Sequence, residues 1–151
     1  MRRAVFAILL GLAGCAPTQD VTRLPAATTV SIGRAATFIT AERAQAGTST
    51  VIQHPALQAA AQFHADDLAR RGGLSHTGSD GSSVTDRVRA AGYQACFVAE
   101  NIARGQPDVT SVIAAWVNSP GHYRNLVNPA AQHFGFSRSG DAWVLVLARP
   151  C

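Results

Sequence analysis

Residues 133–151 read HFGFSRSGDAWVLVLARPC, and this stretch decides the fold. Residues 134–138 and 143–149 have the aromatic and β-branched content of strands, joined across Ser139-Gly140-Asp141. Residues 144–147 are unbroken apolar sequence, the mark of a strand covered on both faces. The rest of the chain must therefore supply cover above and below a sheet.

It supplies helices. From residue 32 to 46, Ile32, Ala35, Ala36 and Ile39 keep helical spacing, and Gly47 ends the run. His54-Pro55 opens a second helix, with Pro55 suited to a first helical position. Leu57, Ala60, Ala61, His64 and Leu68 line one of its faces. Residues 48–53 read as a polar connection. Residues 74–83, LSHTGSDGSS, are loop by composition. Residues 84–91 form a short helix capped by Ser83 or Thr85, and residues 97–103 are extended. Val109, Val112, Ile113, Trp116 and Val117 give the clearest amphipathic helix. Ser119-Pro120 then caps and opens a short helix with His122 in its first turn. Helices first and strands late point to an α+β fold in layers.

The amino terminus, MRRAVFAILLGLAGC, has a basic start and an apolar run of nine or ten residues. That is too short for a hydrocarbon core about 30 Å thick, and it reads as an export signal. Leu12-Ala13-Gly14-Cys15 resembles the bacterial lipobox, which implies a signal peptide over residues 1–14 and lipidation of Cys15. Each buried methylene of such a lipid contributes about 0.8 kcal/mol of membrane affinity. Ala16 follows the cysteine, which by analogy with Gram-negative sorting permits an outer-membrane location. Residues 15–30 read as the lipidated cysteine and a Thr/Ala/Pro-rich tether, leaving a domain over residues 31–151. Cys96 and Cys151 remain, and an even number of cysteines in an exported chain favours a disulfide over two free thiols.

All thirteen basic residues are Arg, for a formal net charge of +4. They are scattered with no basic run, so nucleic acid is not the expected partner. The membrane is, through the lipid, together with a lipid or envelope-protein ligand; the chain is read as a monomer.

Glu occurs only at 42 and 100, and His at 54, 64, 76, 122 and 133. His76, Glu100 and His122 fall at element ends, where side chains can converge on a cleft. Two imidazoles and a carboxylate suit Zn²⁺ or another divalent metal, with a position left for water or ligand. The competing reading makes each His a loop or capping donor and Glu100 an exposed partner of an Arg. His64 reads as a packed core histidine, and His54 and His133 carry no assigned role.

LSH at 74–76, DGSSVTDRVRAAGY at 80–93, AENIA at 99–103 and W-x-x-SPGHYRNLV at 116–127 resemble, in this order, the motifs of the CAP superfamily. These are the cysteine-rich secretory, antigen 5 and pathogenesis-related 1 proteins, also called SCP-like domains. The resemblance implies a three-layer α-β-α sandwich around a central, mostly antiparallel sheet. It also implies a cleft of two His and two Glu, carried over to His76, Glu100 and His122. Ser119 stands where the family has its second Glu, so a metal site here is expected to be weakened or lost. Asn101 would serve the backbone of its loop. The implied role is a non-catalytic binding module of the cell envelope. A metal-assisted hydrolase and a structural lipoprotein with a vestigial cleft are the alternatives.

Overall fold

The computed structural model describes residues 26–151. The signal segment, Cys15 and the tether as far as residue 25 lie outside the described residues.

Two helices come first, α1 (Ala26–Gln45) and α2 (Pro55–Arg71), with a two-residue strand β1 (Ile52–Gln53) between them. Then follow α3 (Val84–Ala90), β2 (Ala95–Arg104), α4 (Val109–Val117) and α5 (Pro120–Leu126). The strands β3 (His133–Ser139) and β4 (Ala142–Pro150) close the chain. The sheet order is β1-β3-β4-β2, with β1 parallel to β3 and the other pairs antiparallel.

β4 behaves as its apolar run requires. Successive strand side chains point to opposite faces. Trp143, Leu145 and Leu147 pack against α1, α4 and α5 with Ile39, Val112, Ile113, Trp116 and Leu126. Val144, Val146 and Ala148 pack on the other face against Leu57, Ala61 and Leu68 of α2 and Val88 of α3. Two cores on one sheet make the α-β-α sandwich.

Local signals set the helix ends. His54 occupies the N-cap of α2, its Nδ1 accepting the Ala56 N–H at 3.2 Å. Gly72 closes that helix at φ 74°, a left-handed conformation that a glycine adopts without a Cβ penalty. Ser83 and Asp86 form a reciprocal capping box on α3. α1 starts at Ala26, six residues before the first periodic position and inside the segment read as tether. Pro25 immediately precedes it, and the residues between, AATTVS, hold nothing that breaks a helix. β1 replaces part of the polar connection read at 48–53; two residues are too few to show a strand period.

β1 reaches only as far as Phe134 along β3. Beyond it the side chain of Gln58 takes over. Its Oε1 accepts the Phe136 N–H at 3.0 Å, and its Nε2 donates to the Phe136 carbonyl at 2.8 Å and to Ser137 Oγ at 2.7 Å. One amide thus satisfies a stretch of buried backbone that would otherwise be left without partners. The approach needs Gly135: a Cβ there would lie 2.2 Å from the Leu57 carbonyl carbon.

Cys96 and Cys151 are disulfide-bonded, closing a sequence separation of 55 residues. The bridge ties the end of β4 to the start of β2, where the Cys151 N–H also donates to the Gln94 carbonyl at 3.1 Å.

Arg43, fully buried near the end of α1, donates to four carbonyls: Ser49 at 2.6 Å, Leu126 at 2.9 Å, Asn128 at 3.0 Å and Ala131 at 3.3 Å. Those of Leu126 and Asn128 lie at the C-terminal end of α5, where the helix leaves carbonyls unpaired and a cation is favoured. The guanidinium thereby fixes the helix that carries His122.

Candidate functional site

Glu100 and Asn101 are neighbours on β2, an edge strand, and their side chains leave opposite faces. Glu100 turns toward α2 and α3 and is 6% exposed. Its Oε2 accepts from Arg87 Nη2 at 2.8 Å, and its Oε1 bonds His76 Nδ1 at 2.8 Å. Asn101 turns toward α5, where its Nδ2 donates to the His122 carbonyl at 3.0 Å and its Oδ1 accepts from Asn125 at 2.9 Å. Asn101 thus holds a helix, not only the loop backbone expected of it. His76 and His122 flank the edge strand from its two sides.

The loop that carries His76 is tied down at several points. Asp67, buried on α2, accepts the Ser79 N–H at 2.9 Å and the Ser79 hydroxyl. That hydroxyl, foremost, holds the Asp67 carboxyl below the usual carboxylate range. Arg71 donates to the Thr77 carbonyl at 2.8 Å, and Arg87 to those of His76 at 3.1 Å and Ser82 at 2.8 Å. The His76 side chain itself is 60% exposed. A buried ion pair therefore orients a ring that solvent and ligands can reach.

The imidazoles of His76 and His122 are biased oppositely. The hydrogen bond to Glu100 raises His76 above the ordinary histidine value of 6.5. Desolvation first, and then the nearby charge of His76, lower His122 below that value. His122 Nδ1 lies 2.9 Å from Ser119 Oγ. Ser119 is the N-cap residue of α5, but its hydroxyl makes no capping hydrogen bond. It is spent on the imidazole, which corrects the helix-capping role read from the sequence.

These shifts fix a sign. A raised pKa contributes stability that is complete below the unfolded value near 6.5 and is lost as pH rises through the folded value. A lowered one costs stability as pH falls through 6.5 toward the folded value. In an NMR titration, His76 is expected to have its midpoint above 6.5 and His122 below it. Glu100→Gln should bring the His76 midpoint down and leave His122 on its own side. Coincident midpoints for the two rings would refute the arrangement.

The geometry bears directly on the metal site that the Ser119 replacement is expected to weaken or remove at His76, His122 and Glu100. A divalent ion needs carboxylate and imidazole lone pairs converging on one point. Both Glu100 oxygens are already engaged, one of them by a full positive charge on Arg87. Among the described residues, no group of three or more His, Cys, Asp or Glu side chains is placed to hold a metal ion. The residues present do not fit a metal centre.

His64 is fully buried, as expected, and it stands directly behind the site. Its Nε2 donates to the Ser75 carbonyl at 2.9 Å and lies 3.8 Å from Glu100 Oε1. Burial, foremost, lowers its pKa, so the approach to Glu100 is a dipolar contact and not an ion pair. His54 and His133 sit elsewhere, around Tyr93, whose hydroxyl lies 2.7 Å from His133 Nδ1.

Arg87 is the residue that sequence reasoning missed. A signal was present: Val84, Arg87, Val88 and Ala91 share one helical face. An arginine on an apolar face needs a buried partner, and Glu100 is that partner. The exposed Arg–Glu pairing set against the cleft is therefore half right, with the pair buried instead of exposed.

The model of the cysteine-rich secretory protein family matches residues 37–146. An uncharacterized protein of Bacillus subtilis, YkwD, is 27% identical over 128 residues, covering 83% of this chain and 50% of its own length. An uncharacterized membrane protein of the same organism, YlbC, is 29% identical over 72 residues, which is 48% of this chain and 21% of that protein. The chain thus spans half or less of the curated relatives it matches. In structure it is similar to an extracellular protein of Bacillus anthracis containing an SCP domain, with TM-score 0.77 and 19% identity over 81% of this chain and 41% of that one. It is also similar to an outer surface protein of Borrelia burgdorferi, with TM-score 0.75 and 20% identity over 81% of this chain and 94% of that one. At these identities the structural likeness establishes the fold.

Proposed function

We infer the role of this chain from the family to which it belongs, the cysteine-rich secretory protein or CAP family. It is an exported binding module of the cell envelope, anchored through lipid on Cys15, that takes its ligand at the His76–His122 cleft without transforming it. The observation that carries the reading is the exposed His76 ring held by a buried Glu100–Arg87 pair. Such a ring is preorganised, so little freedom is lost when a ligand docks on it. The same pair argues against catalysis. A general base needs a carboxylate or imidazole free to take a proton from substrate, and Glu100 has given its oxygens to Arg87 and His76.

Export and anchoring rest on the amino-terminal signal and its lipobox-like end. They agree with the extracellular and outer-surface settings of the two structural relatives. Among the described residues, no helix is long and apolar enough to cross a membrane. A lipid or an envelope component is the favoured ligand class.

Native mass spectrometry of the protein extracted from its own membranes in mild detergent tests the reading. The wild-type chain is expected to carry a bound species that His76→Ala/His122→Ala loses. Equal occupancy of the two proteins, or an empty wild-type chain, would remove the binding role.

A further inference from the structure

A concavity lies between α2 and α3, with neither His76 nor His122 in its lining. Its volume is about 370 Å³, which is within the range of sites that hold a small organic molecule. Ala59 and Ala60 of α2 face Ala90 and Ala91 across it. Four side chains of one carbon each leave the space between the two segments unfilled. Phe63 joins this lining and is 52% exposed, a large apolar surface left to water.

The polar lining is acidic. Asp80 Oδ1 accepts the Ser82 N–H at 2.9 Å, and Asp86 Oδ2 accepts the Ser83 N–H at 3.0 Å and the Ser83 hydroxyl at 2.6 Å. Hydrogen bonding by Ser82, its side chain foremost, holds the Asp80 carboxyl below the usual range, and that by Ser83, again its side chain foremost, does the same for Asp86, so both are charged at neutral pH. Arg87 also lines the groove, but its charge is matched by Glu100 at 2.8 Å. Arg89 Nη1 lies 3.6 Å from Asp86 Oδ1. Setting Arg89 against Asp80 and Asp86 leaves one negative charge.

We propose that this groove binds a small monocationic amphiphile, its apolar body on Phe63 and the alanines and its ammonium group at Asp80 and Asp86. An aromatic face beside the charge favours a cation further, whereas an anionic head would meet two carboxylates. The proposal stands independently of the cleft reading.

Calorimetric titration of the full chain with n-octylammonium, n-octanol and n-octanoate tests it, since the chain length is held fixed and only the head changes. Saturable 1:1 binding of octylammonium is expected, at least tenfold tighter than either other probe. Ala59 is an exposed helix position, so Ala59→Trp should fold and fill the groove, weakening octylammonium at least tenfold. Asp80→Asn should weaken it at least threefold, and His76→Ala should leave it within twofold. Equal affinity for the three probes, no saturable octylammonium binding, or indifference to Ala59→Trp would overturn the proposal. So would a loss in His76→Ala, which would assign the amphiphile to the cleft instead.

Discussion

Gly135→Ala is expected to abolish soluble expression or to cost at least about 5 kcal/mol, the exceptional end of single-substitution effects. The added Cβ would lie 2.2 Å from both the carbonyl carbon and the oxygen of Leu57, and 2.4 Å from the Gln58 nitrogen. These are backbone atoms of α2, so no side-chain rotation relieves the overlap. The helix would have to move off the sheet. That shift would open the Leu57–Leu68 core and pull Gln58 from Phe136. Ordinary overpacking costs about 1–3 kcal/mol because neighbouring side chains can yield; here none can. Gly33→Ala is the matched control: its Cβ meets nothing within 4 Å, and its stability should hold or rise slightly. Chemical denaturation of both variants reads the difference. A Gly135→Ala protein within about 1.5 kcal/mol of wild type, the range of a tolerated core swap, would show that α2 and β3 are not in backbone contact.

Arg87→Met is expected to cost about 3–5 kcal/mol, the penalty for stranding one member of a buried ion pair. The Arg87 and Glu100 side chains are each 2% exposed, so water cannot replace the lost partner. The three carbonyl and carboxylate contacts of the guanidinium go with it, and the His76 loop loses one of its ties. Arg87→Met/Glu100→Gln removes both charges and should recover at least half of the loss. Urea midpoints at pH 7 measure both variants. If the double variant were no more stable than the single one, packing and not charge would explain the effect.

The layers were legible because β4 is long and apolar on both faces, which leaves one architecture. The helices of the two layers followed from the spacing of Leu57–Leu68 and Val109–Val117. β1 was not legible, since its partner is chosen by β3, some eighty residues away in sequence. The nearness of the site's side chains was legible in part: His76 and Glu100 meet directly, and His122 lies within reach of the His76 charge. Their chemistry was not. Whether a carboxylate serves a metal or an arginine depends on which residue faces it across the fold, and Arg87 sits on another element. Ser119 shows the same limit. Its position marks a helix start, but only the side-chain rotamer decides whether the hydroxyl serves Ser119's own helix as cap or the ring of His122.

The glutamine that completes β3 also bears on how molecules of this protein behave toward one another. An uncovered sheet margin is a template on which a second molecule can add a strand, the first step toward fibrous assembly. Gln58 occupies the donor and acceptor at Phe136 with a side chain, which cannot propagate pairing as a strand would. Along that border the protein is thereby guarded against self-templated aggregation, by a residue whose position in a helix gives no hint of such a duty.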